Sequence, residues 1–229
     1  MVPTLFEIAV VLVSLVVFSF VSLEKKALDS KGVLLGIAVG LFVFFFGGIL
    51  DFAMMVVFFV VADSCTKYAR KFSKKKHEVR TTENILGNSL AAMIALALGS
   101  QIGFFGAVSA ALSDTLSSEI GLLSKRKPVL ITTFKTVEHG TNGGITALGC
   151  FAAIVGAAII AIAYFFGVQI ASAGVMIAIM AAGFFGSLVD SFFGASFEKK
   201  GGLNNTQVNF IGSSAGAIAA FFLSKLLGF

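Results

Sequence analysis

Four carboxylates stand inside or at the ends of long apolar stretches: Asp63, Asp114, Glu119 and Asp190. An ionised acid in such a setting is costly without a partner, which makes each a candidate for chemistry. Three stretches repeat one pattern. Ala62-Asp63-Ser64 precedes a basic segment and then Asn84-Ile85-Leu86-Gly87-Asn88. Ser113-Asp114-Thr115 is followed by Gly140-Thr141-Asn142-Gly143-Gly144, and Val189-Asp190-Ser191 by Asn204-Asn205-Thr206-Gln207-Val208-Asn209. Each unit reads as a helix ending in Asp-Ser or Asp-Thr, a loop, and a helix that opens with amides or small polar residues. Acids at one depth can converge on one hydrated cavity. Hard oxygen ligands beneath basic loops describe a site for Mg²⁺ with phosphates, since this ion keeps waters and bridges to phosphate oxygens.

Spacing qualifies the set. Asp114 and Ser118 are four apart and share a helical face, whereas Asp114 and Glu119 diverge by about 140° and reach one ion only if the helix unwinds near Gly121. Asn84 with Asn88, and Asn205 with Asn209, each present two amides to one side, either as ligand donors or as caps and bridges between helices. Basic segments hold Thr81, Thr82, Thr132, Thr133, Thr141, Asn142, Gly143 and Gly144, whose hydroxyls, amides and backbone N–H groups suit phosphate oxygens. Glu7 and Asp51 read as solvated helix ends, and His77 as loop. His139 adjoins the candidate site but has no second His to complete a transition-metal set. Cys65 and Cys150 read as small apolar packers. There is no phosphate-binding GxxxxGK[ST], nucleophile elbow or HExxH.

The elements that must position these groups follow from composition. Of 229 residues, 57% are apolar and 13% charged, and the mean hydropathy is +0.98, values that exclude disordered, collagenous and disulfide-stapled classes. The chain reads as one all-α integral membrane domain, residues 1–229, a bundle of about eight transmembrane helices with internal helix-loop-helix repeats. The expected spans are 2–23, 32–50, 52–68, 84–99, 101–122, 143–166, 169–197 and 206–228. The first is long enough to span and lacks a basic leader, so it reads as a retained helix, not a signal peptide. All of the 17 basic residues except Lys225 fall in odd-numbered loops or at their margins. That asymmetry places these loops in the cytoplasm and both termini outside. Gly32, Gly36 and Gly40, and likewise Gly212 and Gly216, form stripes for close helix packing.

At Ser113-Asp114-Thr115-Leu116-Ser117-Ser118-Glu119-Ile120-Gly121 the chain resembles the integral-membrane family of plant phytyl-phosphate kinase and animal transmembrane protein 19. Lys127-Pro128-Val129-Leu130-Ile131-Thr132-Thr133, Gly140-Thr141-Asn142-Gly143-Gly144, Gly186-Ser187-Leu188-Val189-Asp190-Ser191 and Asn204-Asn205 with Val208-Asn209 carry the same resemblance, which covers about residues 30–229. A looser likeness extends to CTP-using polyprenol kinases and CDP-lipid synthases. Asn142 stands where the family usually has Asp. The resemblance implies a lipid-phosphate kinase that transfers the terminal phosphate of a nucleotide, CTP by preference, to a prenyl monophosphate. Its partners are then the lipid substrate and membrane lipid, with no nucleic acid.

It further implies Mg²⁺ on Asp114, Glu119 and Asp190, with Lys127 beside them as a catalytic residue. Asp63, Arg70, Lys71, Arg80, Asn84, Asn88, Ser118, Arg126, Thr132, Thr133, Thr141, Asn142, Gly143, Gly144, Asn205 and Asn209 would hold the phosphates and nucleotide. A phosphate acceptor is ionised at neutral pH, so no strong base is needed. A transporter for an anion or metal ion would use the same intramembrane acids, although the outer halves of the spans are almost wholly apolar. A cytidylyltransferase making a CDP-lipid is the third possibility.

Overall fold

The computed structural model describes residues 3–25, 27–72, 82–168, 172–198 and 201–228. Eight helices follow in order: α1 (Leu5–Glu24), α2 (Ser30–Gly47), α3 (Ile49–Phe72), α4 (Thr82–Ala97), α5 (Gln101–Gly121), α6 (Ala147–Gly167), α7 (Ala173–Ser196) and α8 (Asn205–Leu226). Their bounds fall within a few residues of the apolar spans, and the architecture is an all-α polytopic membrane bundle. Local chemistry sets several starts. Thr4 and Glu7 form a reciprocal capping box on α1, and Asn204 and Gln207 form another on α8. Asp29, Ser100, Thr146 and Ser172 cap α2, α5, α6 and α7 through their side-chain oxygens. Each such cap contributes about 1 kcal/mol.

Among the described residues, six helices, α1 to α3 and α6 to α8, are long and apolar enough to cross a membrane. This departs from eight equivalent spans. With 16 residues, α4 extends about 24 Å, short of the roughly 30 Å hydrocarbon layer. The fifth helix is long enough but polar, and it tolerates polarity because protein surrounds it. From Gly103 to Ser113 every residue of α5 is buried, and it packs against α3, α4, α6, α7 and α8. Ser109 donates to the Ile179 carbonyl at 3.2 Å and Ser113 to the Ala153 carbonyl at 2.8 Å, so two of its hydroxyls tie α5 to α7 and α6. By contrast, α1 buries little and lies at the edge of the bundle.

Glycines bring α5, α7 and α8 together. A Cβ at Gly216 would lie 2.6 Å from Ala110 Cβ and 2.7 Å from the Gly106 carbonyl oxygen. One at Gly186 would lie 2.5 Å from Ala110 Cβ and 2.7 Å from the Gly212 carbonyl oxygen. Hydrocarbon burial does not distinguish helix contact from lipid contact inside a bilayer, so this close backbone fit is what holds the three helices. The stripe on α2 differs: Gly36 faces the Phe18 ring of α1, and Gly40 faces Leu15 and Phe52.

Between α5 and α6 the chain forms a hairpin absent from the sequence-based expectation. Strand β1 (Val129–Leu130) pairs antiparallel with β2 (Gly144–Ile145), with Val129 opposite Ile145. At the far end of the bundle, Asp51 is fully buried, and Gln101 Nε2 donates to its two carboxylate oxygens at 3.0 and 3.3 Å. That corrects its reading as a solvated end: an amide from α5, fifty residues away, takes the place of water. Glu7 is exposed, as expected for a helix cap.

The contrast between the two glycine stripes is measurable. Gly216→Ala drives a methyl group into a backbone oxygen and should destabilise the protein by about 1–3 kcal/mol or more. Gly36→Ala meets the tip of a Phe ring that can turn aside, and should cost less. Thermal unfolding of the purified variants in detergent checks the order, and equal losses would contradict it.

Candidate functional site

A cavity of about 300 Å³ opens at the end of the bundle where α5 and α7 end and α4, α6 and α8 begin. Asp114 from α5 and Asp190 from α7 face each other across it, close enough for their carboxyls to hydrogen-bond. The glycine contacts account for this meeting. Gly186 lies one turn before Asp190 on α7, and a Cβ at Gly212 would sit 2.8 Å from Asp190 Cβ. Two like carboxylates held in contact demand a cation or a shared proton.

Both amide pairs line the same cavity: Asn84 and Asn88 from α4, Asn205 and Asn209 from α8. Gly87 lets α4 and α8 approach, since a Cβ there would lie 2.8 Å from the Thr206 carbonyl oxygen. Thr141, Asn142, Gly143 and Gly144 complete the wall with Ser118 and Glu119. Gly143 has φ of 74°, and a Cβ there would collide with Ala195 and with the Ser191 carbonyl oxygen, so this glycine seats the hairpin against α7.

The helix ends give the cavity two electrical sides. Asn84, Thr146 and Asn205 stand at the N-termini of α4, α6 and α8, whose N–H groups favour an anion. On the other side stand the carboxylates of Asp114 and Asp190, about two turns before the ends of α5 and α7, and their own charge favours a cation.

Glu119 lies on the wall, but α5 remains helical through Gly121. Among the described residues, no three acid, His or Cys side chains form an assembled ligand group. Asp63 is outside the wall: Lys67 Nζ donates to it at 2.6 Å along α3. Thr66, three residues later, takes its place, with Oγ1 buried and no hydrogen-bond partner among the described residues.

The wall holds no Lys or Arg among the described residues. Arg70 and Lys71 end α3 beyond it, and Arg126, Thr132 and Thr133 are on or near the exposed surface of the fifth loop. Lys127 is also outside, paired with Glu138 at 2.6 Å in an exposed ion pair that holds the Glu138 carboxyl below its ordinary value. Arg80, with Lys26, Lys74, Lys75, Lys76, His77, Thr81, Lys199 and Lys200, lies outside the described residues.

The sequence reading missed Glu198. It lines the cavity just past α7, where the Asn142 side chain hydrogen-bonds to it and its charge bears on Asp114 and Asp190. The four-residue steps from Asp190 through Gly194 to Glu198 are the signal that identifies it. His139 also reaches the wall, with Nε2 3.0 Å from the Ser124 carbonyl oxygen.

The fold and site define a multi-pass membrane protein with a half-buried acidic pair among amides and hydroxyls. Residues 13–217 match the family model described as Integral membrane protein DUF92, and the chain belongs to that family. It is 34% identical over 227 residues to Uncharacterized membrane protein MJ0933 of Methanocaldococcus jannaschii, covering 94% of this chain and 93% of that one. It is 30% identical to Protein PGR of Arabidopsis thaliana, over 84% of this chain and 79% of the relative. A third relative, the chloroplastic Protein VTE6 of Arabidopsis thaliana, is 28% identical over 79% of this chain, which spans 60% of its length. No solved structure matches. Family membership agrees with the resemblance carried by the motifs.

Burial raises the affinity of the Glu198 carboxyl for its proton above the ordinary value, with the Asn142 hydrogen bond opposing the shift. The folded state therefore holds this proton to higher pH than the unfolded state, and stability falls as rising pH removes it. Glu198→Gln should unfold at a higher temperature than wild type at pH 8, with the gap closing towards pH 4. Parallel melting curves across that range would exclude the burial effect.

Proposed function

We propose that the protein is a lipid-phosphate kinase that moves the terminal phosphate of a nucleotide, CTP by preference, onto a prenyl monophosphate. The observation that carries this reading is the Asp114–Asp190 contact at the foot of a cavity ringed by helix N-termini and amides. Acids opposite N–H groups suit a cation and a phosphate together, and neither alone. Membership of the family that the motifs resemble supports the prenyl acceptor.

A hard divalent cation fits the donor set. Asp114 and Asp190 would hold Mg²⁺, Glu119 and Glu198 would bear on it from the same wall, and the buried Thr66 hydroxyl adds a polar partner. Among the described residues two carboxylates meet directly, which leaves positions for water and phosphate oxygens. When bound, the ion would neutralise the nucleotide's terminal phosphates and polarise the transferring group. Asn84, Asn88, Asn205 and Asn209 would orient phosphate oxygens as neutral donors. In the segment seated on α7, the Thr141 and Gly144 N–H groups donate to backbone carbonyls of the turn, and Asn142 and Gly143 would present theirs to phosphate without changing shape during transfer. Arg70, Lys71, Arg126 and Lys127 would compensate the charge of the entering nucleotide from outside the wall. The acceptor phosphate needs no base, and the catalytic contribution is alignment and electrostatic support.

Nucleotide labelled in its γ-phosphate separates the reaction classes. Label recovered in the lipid identifies a kinase, label in pyrophosphate identifies a cytidylyltransferase, and no turnover with ion uptake into vesicles identifies a transporter. Asp114→Asn and Asp190→Asn should each lower kcat/KM at least about 10²-fold, or about 2.7 kcal/mol, with an unchanged elution profile. Near-normal turnover of both across a Mg²⁺ titration would remove the metal role.

A further inference from the structure

We propose that an apolar cavity among α1, α2, α3 and α4 holds the acceptor's hydrocarbon tail and measures its length. The kinase reading supplies the identity of the head group, whereas the tail site stands on geometry. This second cavity has a volume of about 400 Å³, within the range of small-molecule sites. Asn84 and Asn88 belong to its wall and to the wall of the acidic cavity. The two spaces therefore adjoin across one turn of α4, where two amides separate a hydrocarbon compartment from a pair of carboxylates. A single-tailed lipid monophosphate presents the same succession: apolar chain, neutral junction, anion. Amides suit that junction because they donate to phosphate while bringing no net charge into the apolar compartment.

The compartment has direction. Along α1 its wall includes Val13, Val17 and Val21, a rise of about 12 Å. Val21 lies near the loop end with Asn84, and Val13 lies deeper. On α3, Phe52 stands at the opposite end from Thr66, so it marks the deep end of the compartment, and Val56 is one turn nearer the amides. A Cβ on Gly40 would approach Leu15 at 3.0 Å and Phe52 at 3.3 Å, which shows how closely that end is packed. Side chains at 52 and 56 thus set how far a tail can extend.

The test has a binding arm and a kinetic arm. Protein in phosphatidylcholine nanodiscs is photolabelled with a 20-carbon prenyl monophosphate bearing a diazirine at the tail's far end. Labelled peptides should contain Phe52 and Val56 or the facing part of α1, and unlabelled prenyl monophosphate should compete better than the corresponding alcohol. Label on the outward faces of α6 or α8, or equal competition by the alcohol, would overturn the assignment. In the kinetic arm, Val56→Trp should lower the ratio of kcat/KM for 20-carbon over five-carbon acceptors at least about tenfold, the scale on which pocket volume discriminates. Phe52→Ala should shift preference to longer tails. Equal loss with both acceptors in both variants would reject the ruler. Should no lipid be phosphorylated, the kinase reading falls while the photolabel still reports whether this compartment takes the tail.

Discussion

Everything at the acidic end depends on how closely three backbones can run. Gly106 on α5, Gly186 on α7, and Gly212 and Gly216 on α8 leave no room for a methyl group between these helices. In lipid, such contact supplies the packing that hydrophobic burial supplies in water. Its chemical result is that Asp114 and Asp190 project from helices that cannot separate to relieve their repulsion. A side chain could turn away from a like charge at a flexible site. Here the backbone spacing keeps the demand for positive charge in place.

The remaining parts answer that demand in an orderly way. Of the helices that run towards the cavity, α5 and α7 bring acids and α3 brings Thr66, and the helices that leave it bring amides and caps on their first turns. The β1–β2 hairpin closes the arrangement because Gly143 adopts a conformation few other residues reach and lies flush against α7. The polar cavity is thus a consequence of the alternation of helix direction, repeated three times with small changes.

Much of this was legible in the sequence. Hydropathy located the helices, and residue type with spacing found Asp114, Asp190 and the two amide pairs, because a four-residue step places side chains on one face whatever the tertiary context. Asp63 diverged from its counterparts because Lys67, also four residues on, engages it locally. That pairing was visible in principle. Other features were not: Gln101 buries with Asp51 across fifty residues, and Lys127 finds Glu138 through the turn in which Val129 bridges Thr136. Glu198 lies among the charges that follow α7, and only its two four-residue steps from Asp190 mark it as sharing that residue's face.

The enclosure of α5 bears on how the protein comes to be in a membrane at all. Ser109, Ser113 and Asp114 find partners on α6 and α7, which are synthesised later, so lipid alone offers this helix little reward for entering. The early helices must therefore shelter an incomplete centre until the later ones arrive. The order of translation makes the acidic cavity the last region to mature, with α3 and α4, the earlier helices that pack on α5, its first protection.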